Sequence, residues 1–271
     1  HMQDVLDDKA PPKLSTGLVD LDKLIGYLRP KSMVVIAGRP GSGKTMLGLQ
    51  ITQHIATQGK GVGLVISLEM PEEELTVRTI ASLGGVDLRR MESVKDLDDG
   101  DWSRITVAIG KIQDAELYLN DAPGQTVAQI RAAARQLQRD KGLSVLMVDY
   151  LGLVGADGRA ANRAEAVGRI STAMKNLAKE LGVPLLVLAQ LNRNPTSRPG
   201  KKPQASDLRD SGQIEQDADA VLLVHHDPES EAGEQGVTEI ILDKGRQAPP
   251  GSCLVQRQGQ FARFVNFAGN S

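Results

Sequence analysis

The sequence runs to 271 residues, with 40% hydrophobic and 24% charged residues and a net charge of −2. Such a composition is ordinary for a globular protein of one large or two small domains, and the near-neutral charge leaves no whole-protein footprint for nucleic acid. No apolar run approaches the ~20 residues needed to span a bilayer, no signal-peptide pattern opens the chain, the lone Cys253 excludes an internal disulfide framework and fits the cytosol, and 3% aromatic residues argue against a row of base-stacking rings.

His1-Met2 reads as a cloning scar and the polar, Pro-Pro-containing stretch up to Lys13 as a linker, so one domain is expected over residues 14–271. A helix start is expected at Ser15 or Thr16. Met33 to Ala37, short and apolar, reads as a buried strand. It runs into Gly38-Arg39-Pro40-Gly41-Ser42-Gly43-Lys44-Thr45, a G-x-x-x-x-G-K-T phosphate-binding loop, and Met46 to Thr57 then reads as a helix. Glycines in such a loop let backbone N–H groups close around phosphate oxygens, and the helix N-terminus adds positive potential. Lys44 would reach the outer phosphates of ATP, and Thr45 would offer its hydroxyl to Mg²⁺.

Gly63 to Leu68 reads as a second buried strand, ending at Glu69. Pro71 and the acids Glu72 to Glu74 suit the first turn of a helix reaching Leu83, with Gly84-Gly85 as its stop. Residues 87–111 read as further helix, with Asp98 to Asp101 as an acidic start before Trp102 and Ile105, and with Trp102 as a core anchor. Glu116 to Asn120 is expected as a strand, Thr126 to Asp140 as an amphipathic helix, and Ser144 to Val148 as a third apolar strand ending at Asp149. Arg163 to Leu181 reads as a helix and Val183 to Ala189 as a fourth strand ending at Gln190. Ala218 to His225 reads as another strand, and three shorter antiparallel strands follow, at Val237 to Leu242, Cys253 to Gln256 and Phe261 to Asn266. Strands alternating with helices imply an α/β fold with a mostly parallel twisted sheet and a C-terminal antiparallel extension.

In open parallel sheets ligands collect at the carboxyl ends of the strands. Here four strand ends carry the phosphate-binding loop, Glu69, Asp149 and Gln190, the set that phosphoryl transfer to water requires. Asp149 would hold Mg²⁺ through an ordered water, Glu69 would act as general base on the attacking water, and Gln190 would hydrogen-bond the γ-phosphate or that water.

With those residues in place, the sequence resembles the ATPase domain of DnaB-type replicative DNA helicases, within the RecA-like hexameric motors. The resemblance spans Leu14 to Phe267. It rests on Ser15-Thr16-Gly17 with Asp20-Leu21-Asp22, the phosphate-binding loop, Ser67 to Met70, Val148 to Leu151, Leu177 to Leu181, Gln190 to Arg193, Ser206 to Arg209 and Ile214 to Asp219. It implies that Glu69 is the catalytic glutamate and Gln190 the γ-phosphate sensor. It further implies that Arg246 is an arginine finger and Lys244 its partner, both carried on an edge hairpin and reaching ATP held by the neighbouring subunit of a homo-hexamer. Arg209, Asp210 and Gly212 match the family's loop for single-stranded DNA phosphates, although the usual acid there is Glu. The basic stretch from Arg193 to Lys202, including Lys201, reads equally as a second DNA-facing loop or as a solvated one. Gly152 stands where the family usually has a larger polar residue.

The family's collar domain and most of its linker helix have no counterpart here, so a truncated or divergent member is expected. A helicase loader and a primase are the implied partners, and the cytoplasm of a bacterium or of a phage-infected cell is the implied location. Two other readings remain at this point: a RecA-like recombinase or regulatory ATPase, and an ATP-dependent assembly module without motor activity.

Overall fold

The computed structural model describes residues 13–57, 61–155, 162–191, 202–208 and 212–269. The linker expected at residues 1–12 and the DNA contacts expected of Arg193, Lys201, Arg209 and Asp210 lie outside them. Among the described residues no helix is long and apolar enough to cross a membrane.

Among the described residues the fold is a nine-stranded sheet. In chain order its strands are β1 (Met33–Gly38), β2 (Val62–Ser67), β3 (Leu117–Asn120), β4 (Leu143–Asp149), β5 (Leu185–Gln190), β6 (Ala220–His225), β7 (Val237–Gly245), β8 (Gly251–Gln258) and β9 (Arg263–Asn266). Their spatial order is β3-β2-β4-β5-β1-β6-β7-β8-β9. The first six in that order pair in parallel, and β7, β8 and β9 join antiparallel. The mixed architecture expected from the alternation of strands and helices is thus present.

Every residue of β1 and β2 is buried, because helices cover both faces of a parallel sheet. On one face lie the helices α1 (Val19–Ile25) and α2 (Lys44–Thr57), and Leu75 of α3 (Glu72–Gly84) joins them. They pack on Val34, Ile36, Val65, Met147 and Leu188. On the other face, further along the chain, lie α6 (Val127–Asp140) and α7 (Arg163–Leu181), packed on Met33, Val35, Ala37, Leu146 and Val187. The alternation of neighbouring strand residues between the two clusters follows from the two-residue period of a strand.

Three local expectations need correction. The first helix begins at Val19 rather than at Ser15 or Thr16. The Thr16 N–H and hydroxyl both donate to Asp22 Oδ1 at 2.8 Å, and the Ser15 hydroxyl donates to Asp22 Oδ2 at 2.5 Å. The carboxylate thus ties the preceding loop back onto the helix, a use of these residue types that mimics a cap in reverse. Asp22→Ala would leave these donors without their acceptor, and Thr16 and Asp22 are buried. A loss of about 1–3 kcal/mol is expected, read from denaturant melts.

Residues 87–111 form no continuous helix. They divide into α4 (Leu88–Met91), a 3-10 turn (Val94–Asp96) and α5 (Asp99–Gln113). A reciprocal cap between Asp98 and Asp101 starts α5 afresh, at the acidic start expected there. Trp102 is 45% exposed, not a core anchor. The buried stripe of α5 is Asp101, Ile105 and Ala108. Asp101 tolerates burial because Arg90 and Arg104 both pair with it, and that pairing turns the neighbouring Trp102 outward.

Cys253 is buried against the α1–α2 face. Burial, with the carboxylates of Asp20 and Glu239 adding to it, pushes its thiol from an ordinary 9.0 up to about 12. The native thiol therefore keeps its proton at pH 8, and a thiol-labelling reagent should react only after unfolding. The unfolded thiol ionises near 9.0 and the folded one near 12, so the native state binds the extra proton between them. Its contribution to stability is constant below that window and falls as pH rises through it. Melting curves from pH 8 to 11 compared with Cys253→Ala would show this slope, present in the parent and absent in the variant.

Candidate active site

The loop from Gly38 to Lys44 leaves the carboxyl end of β1 and turns into α2. Its form is dictated by close approaches. A Cβ at Gly38 would lie 2.2 Å from Ser42 Oγ, and one at Gly43, where φ is +99°, would lie 2.8 Å from Phe264 Cζ. A side chain at Gly38 would displace the Ser42 hydroxyl, and one at Gly43 would meet the buried Phe264 ring on a backbone that favours glycine. Phe264 is itself held in place by Gln50 of α2, whose amide accepts from the Phe264 N–H at 2.7 Å and donates to its carbonyl at 2.8 Å. The C-terminal strand β9 is thereby clamped beneath the loop. The side-chain groups Ser42 Oγ and Arg39 Nη2 are buried without a hydrogen-bond partner among the described residues. Unpaired donors at a helix N-terminus suit an anion.

The strand ends converge as the topology requires. Lys44 is buried, and its ammonium lies 3.5 Å from Glu69 Oε2, 3.9 Å from Asp149 Oδ1 and 3.5 Å from Thr45 Oγ1. The Thr45 hydroxyl donates to Asp149 Oδ2 at 2.7 Å. Asp149 Oδ1 is buried and has no hydrogen-bond donor among the described residues. Burial raises the Asp149 pKa above the usual carboxylate range, opposed by the charge of Lys44 and the Thr45 hydrogen bond and reinforced by Glu69. A carboxylate with one free, dehydrated oxygen beside a hydroxyl is a fitting place for a hard divalent cation, which would relieve that burial penalty.

Glu69 follows β2, its turn fixed by the Ser67 hydroxyl, which donates to the Met70 carbonyl at 2.6 Å. Its side chain stays 42% exposed, so water reaches it. Gln190 ends β5 directly beside Gly38 in the parallel register. The phosphate-binding loop, Glu69, Asp149 and Gln190 thus share one end of the sheet.

The family model described as "DnaB-like helicase C terminal domain" matches residues 13–266. The chain belongs to that family. The replicative DNA helicase DnaB of Pasteurella multocida is 41% identical over 259 residues, 94% of this chain and 56% of that protein. The replicative DNA helicase DnaC of Bacillus subtilis is 35% identical over 256 residues, 93% of this chain and again 56% of the relative. The chain therefore spans little more than half the length of the curated relatives it matches. Among solved structures, the ATPase domain of G40P superposes with a TM-score of 0.89 at 30% identity, covering 98% of this chain and 97% of that one. A DnaB-like replicative helicase, from a structure titled with its interactions with primase, superposes at 0.90 and 30% identity, covering 98% of this chain and 65% of that one.

For a DnaB-like ATPase domain, the placement of Lys244 and Arg246 is informative. They do not sit on a lateral edge of the sheet, as an edge hairpin would. β7 and β8 are interior strands, and the turn between them leaves the sheet at its other end. Gly245 pairs with Ala220, and Ala220 pairs with Val34 near the start of β1. From Val34 to Gly38, where the phosphate-binding loop begins, is about 13 Å of strand at ~3.3 Å per residue. The two cations and the chain's own phosphate-binding loop lie at opposite ends of one sheet.

The DNA-directed expectations meet the structure at two residues. Gly212 opens the short helix α8 (Gly212–Asp217). Lys202 pairs with Glu239 Oε2 at 2.7 Å within the chain. Gln50 and Phe264, which carry no sequence signature of function, shape the loop from 214 residues apart. No local pattern marks such a pair.

Proposed function

We propose that this chain is the ATP-hydrolysing motor domain of a hexameric replicative DNA helicase, moving along single-stranded DNA and unwinding duplex. The observation that carries the reading is the separation of two half-sites. A nucleotide cradle stands at the carboxyl ends of the parallel strands, and a pair of cations stands at their amino ends. Neither completes the other within one chain. A ring of head-to-tail subunits joins them, because a heterologous interface that closes sets one face of each copy against the opposite face of the next.

In this reading backbone N–H groups of residues 41–45 and the Lys44 ammonium hold the β- and γ-phosphates of ATP. Thr45 and Asp149 hold Mg²⁺, which neutralises phosphate charge when bound. Glu69 accepts a proton from the attacking water, and Gln190 hydrogen-bonds the γ-phosphate or that water. Arg246 and Lys244 of the adjacent subunit stabilise charge on the transferring phosphoryl group. Arg209, Asp210 and Gly212, with the basic stretch holding Arg193, Lys201 and Lys202, follow the phosphates of the strand. Backbone-directed contacts of this kind carry no sequence preference. A primase and a helicase loader are the proposed protein partners. The bacterial relatives favour the cytoplasm as the place of action.

Native mass measurement with a non-hydrolysable ATP analogue and a single-stranded oligonucleotide, paired with ATPase assays, tests the proposal. The expected result is a six-fold assembly whose hydrolysis accelerates with the oligonucleotide. Filaments of open-ended mass with strand-exchange activity would make it a recombinase instead, and no hydrolysis in either condition would make it an assembly module.

A further inference from the structure

The segment Ile214 to Asp219 is among the sequence motifs of the family, yet none of its residues enters the nucleotide cradle. Its place in the fold gives it another task. Lys244 Nζ donates to the carbonyl oxygens of Glu215 at 2.5 Å and Gln216 at 3.3 Å, at the C-terminal end of α8. Arg246 Nη2 donates to Gln216 O at 3.5 Å, and Arg246 Nη1 lies 3.3 Å from Asp219 Oδ1. The Arg246 N–H donates to the Asp219 carbonyl at 2.8 Å. Carbonyls at a helix C-terminus carry partial negative charge and attract cations. Both cations are therefore seated on their own chain.

Asp219 divides its carboxylate between two duties. Oδ2 accepts from the Lys175 ammonium and from the Met33 N–H at 2.7 Å, which fixes α7 against the start of β1. Lys175 also donates to Lys31 O at 3.1 Å, so this half of the carboxylate is part of the scaffold. Oδ1 faces the guanidinium, in a single-point contact to a side chain that is 52% exposed. Exposed single-point ion pairs are weak and break readily.

We propose that Asp219 is a positioning residue for the finger: its Oδ1 holds Arg246 on the subunit's own surface and competes with the phosphate of the neighbouring site for it. The proposal rests on the reading of Arg246 as a trans-acting finger. Removing the competitor leaves the guanidinium only its 3.5 Å contact with Gln216 O, so hydrolysis without DNA rises by the factor that the ion pair represented, about two- to five-fold for an exposed pair. α8 begins at Gly212, in the stretch expected to meet DNA, and reaches the Glu215 and Gln216 carbonyls that hold Lys244 within about 6 Å of helix at ~1.5 Å per residue. A strand bound there shifts the seat, which makes the latch most effective in the absence of DNA.

The test compares ATP hydrolysis by the assembled protein, with and without a single-stranded oligonucleotide, for the parent, Asp219→Asn, Arg246→Ala and the two combined. Asp219→Asn leaves a buried ammonium unpaired, so Asp219→Asn with Lys175→Met, which removes that ammonium, is measured beside it, together with melting temperatures. The expected result is a two- to five-fold higher DNA-free rate in Asp219→Asn or its Lys175→Met companion, and no change on adding Asp219→Asn to Arg246→Ala. A DNA-free rate that stays level or falls in both folded variants, or that shifts equally without the finger, overturns the latch. If Arg246→Ala alone leaves hydrolysis intact, it is the trans-finger reading that fails.

Discussion

Replacing Glu69 by Gln is expected to slow ATP hydrolysis by about 10²- to 10⁴-fold, the range that a positioned general base supplies. Glutamine keeps the length and hydrogen-bonding reach of glutamate but cannot take the proton of the attacking water. Nucleotide binding should survive, because the phosphate cradle is made of other groups. The variant also removes the carboxylate 3.5 Å from Lys44 Nζ, so the ammonium loses a competitor for the phosphates and affinity for ATP should hold or tighten. Single-turnover hydrolysis with a parallel binding titration of a fluorescent ATP analogue separates the two effects. A rate within two-fold of the parent would show that another group activates the water.

Arg246→Ala should have the second large effect, a loss of about 10³- to 10⁵-fold in the assembled state, as expected for an arginine finger on a transferring phosphoryl group. Because this side chain lies at the opposite end of the sheet from its own Lys44, the defect belongs to the neighbouring subunit's site. Dilution to single subunits should therefore erase most of the difference between parent and variant. ATPase rate as a function of protein concentration measures it.

Much of this organisation was legible in the sequence, for physical reasons that vary with the element. The strands before Gly38, Asp149 and Gln190 are continuous apolar runs because a parallel sheet is buried on both faces. Helix α6 is legible from its one-sided pattern of Val127, Ile130 and Ala134, helix α7 from Val167 to Leu181. The convergence of Glu69, Lys44 and Asp149 follows from the rule that such sheets gather ligands at the carboxyl ends.

What was not legible depends on partners distant in sequence. Trp102 reads as core by its chemistry, and only the ion pairs of Asp101 with Arg90 and Arg104 show which face of α5 turns inward. Ser15 and Thr16 read as caps by type, whereas Asp22 recruits them from inside the helix. The hairpin carrying Arg246 reads as an edge element until the sheet order places β9 outside it. The Gln50 clamp on Phe264 and the contact of Asp219 with Arg246 join residues that no spacing rule connects.

Mixing two inactive variants asks whether one subunit's cradle is completed by the next subunit's cations. Lys44→Ala removes the cradle but keeps the finger, and Arg246→Ala keeps the cradle but removes the finger. Co-assembled at equal amounts, they form interfaces that carry an intact cradle on one side and an intact finger on the other. DNA-stimulated ATPase is expected to reappear in the mixture well above the sum of the separate variants. A mixture no more active than its components, in assemblies shown by mass to contain both, would contradict it.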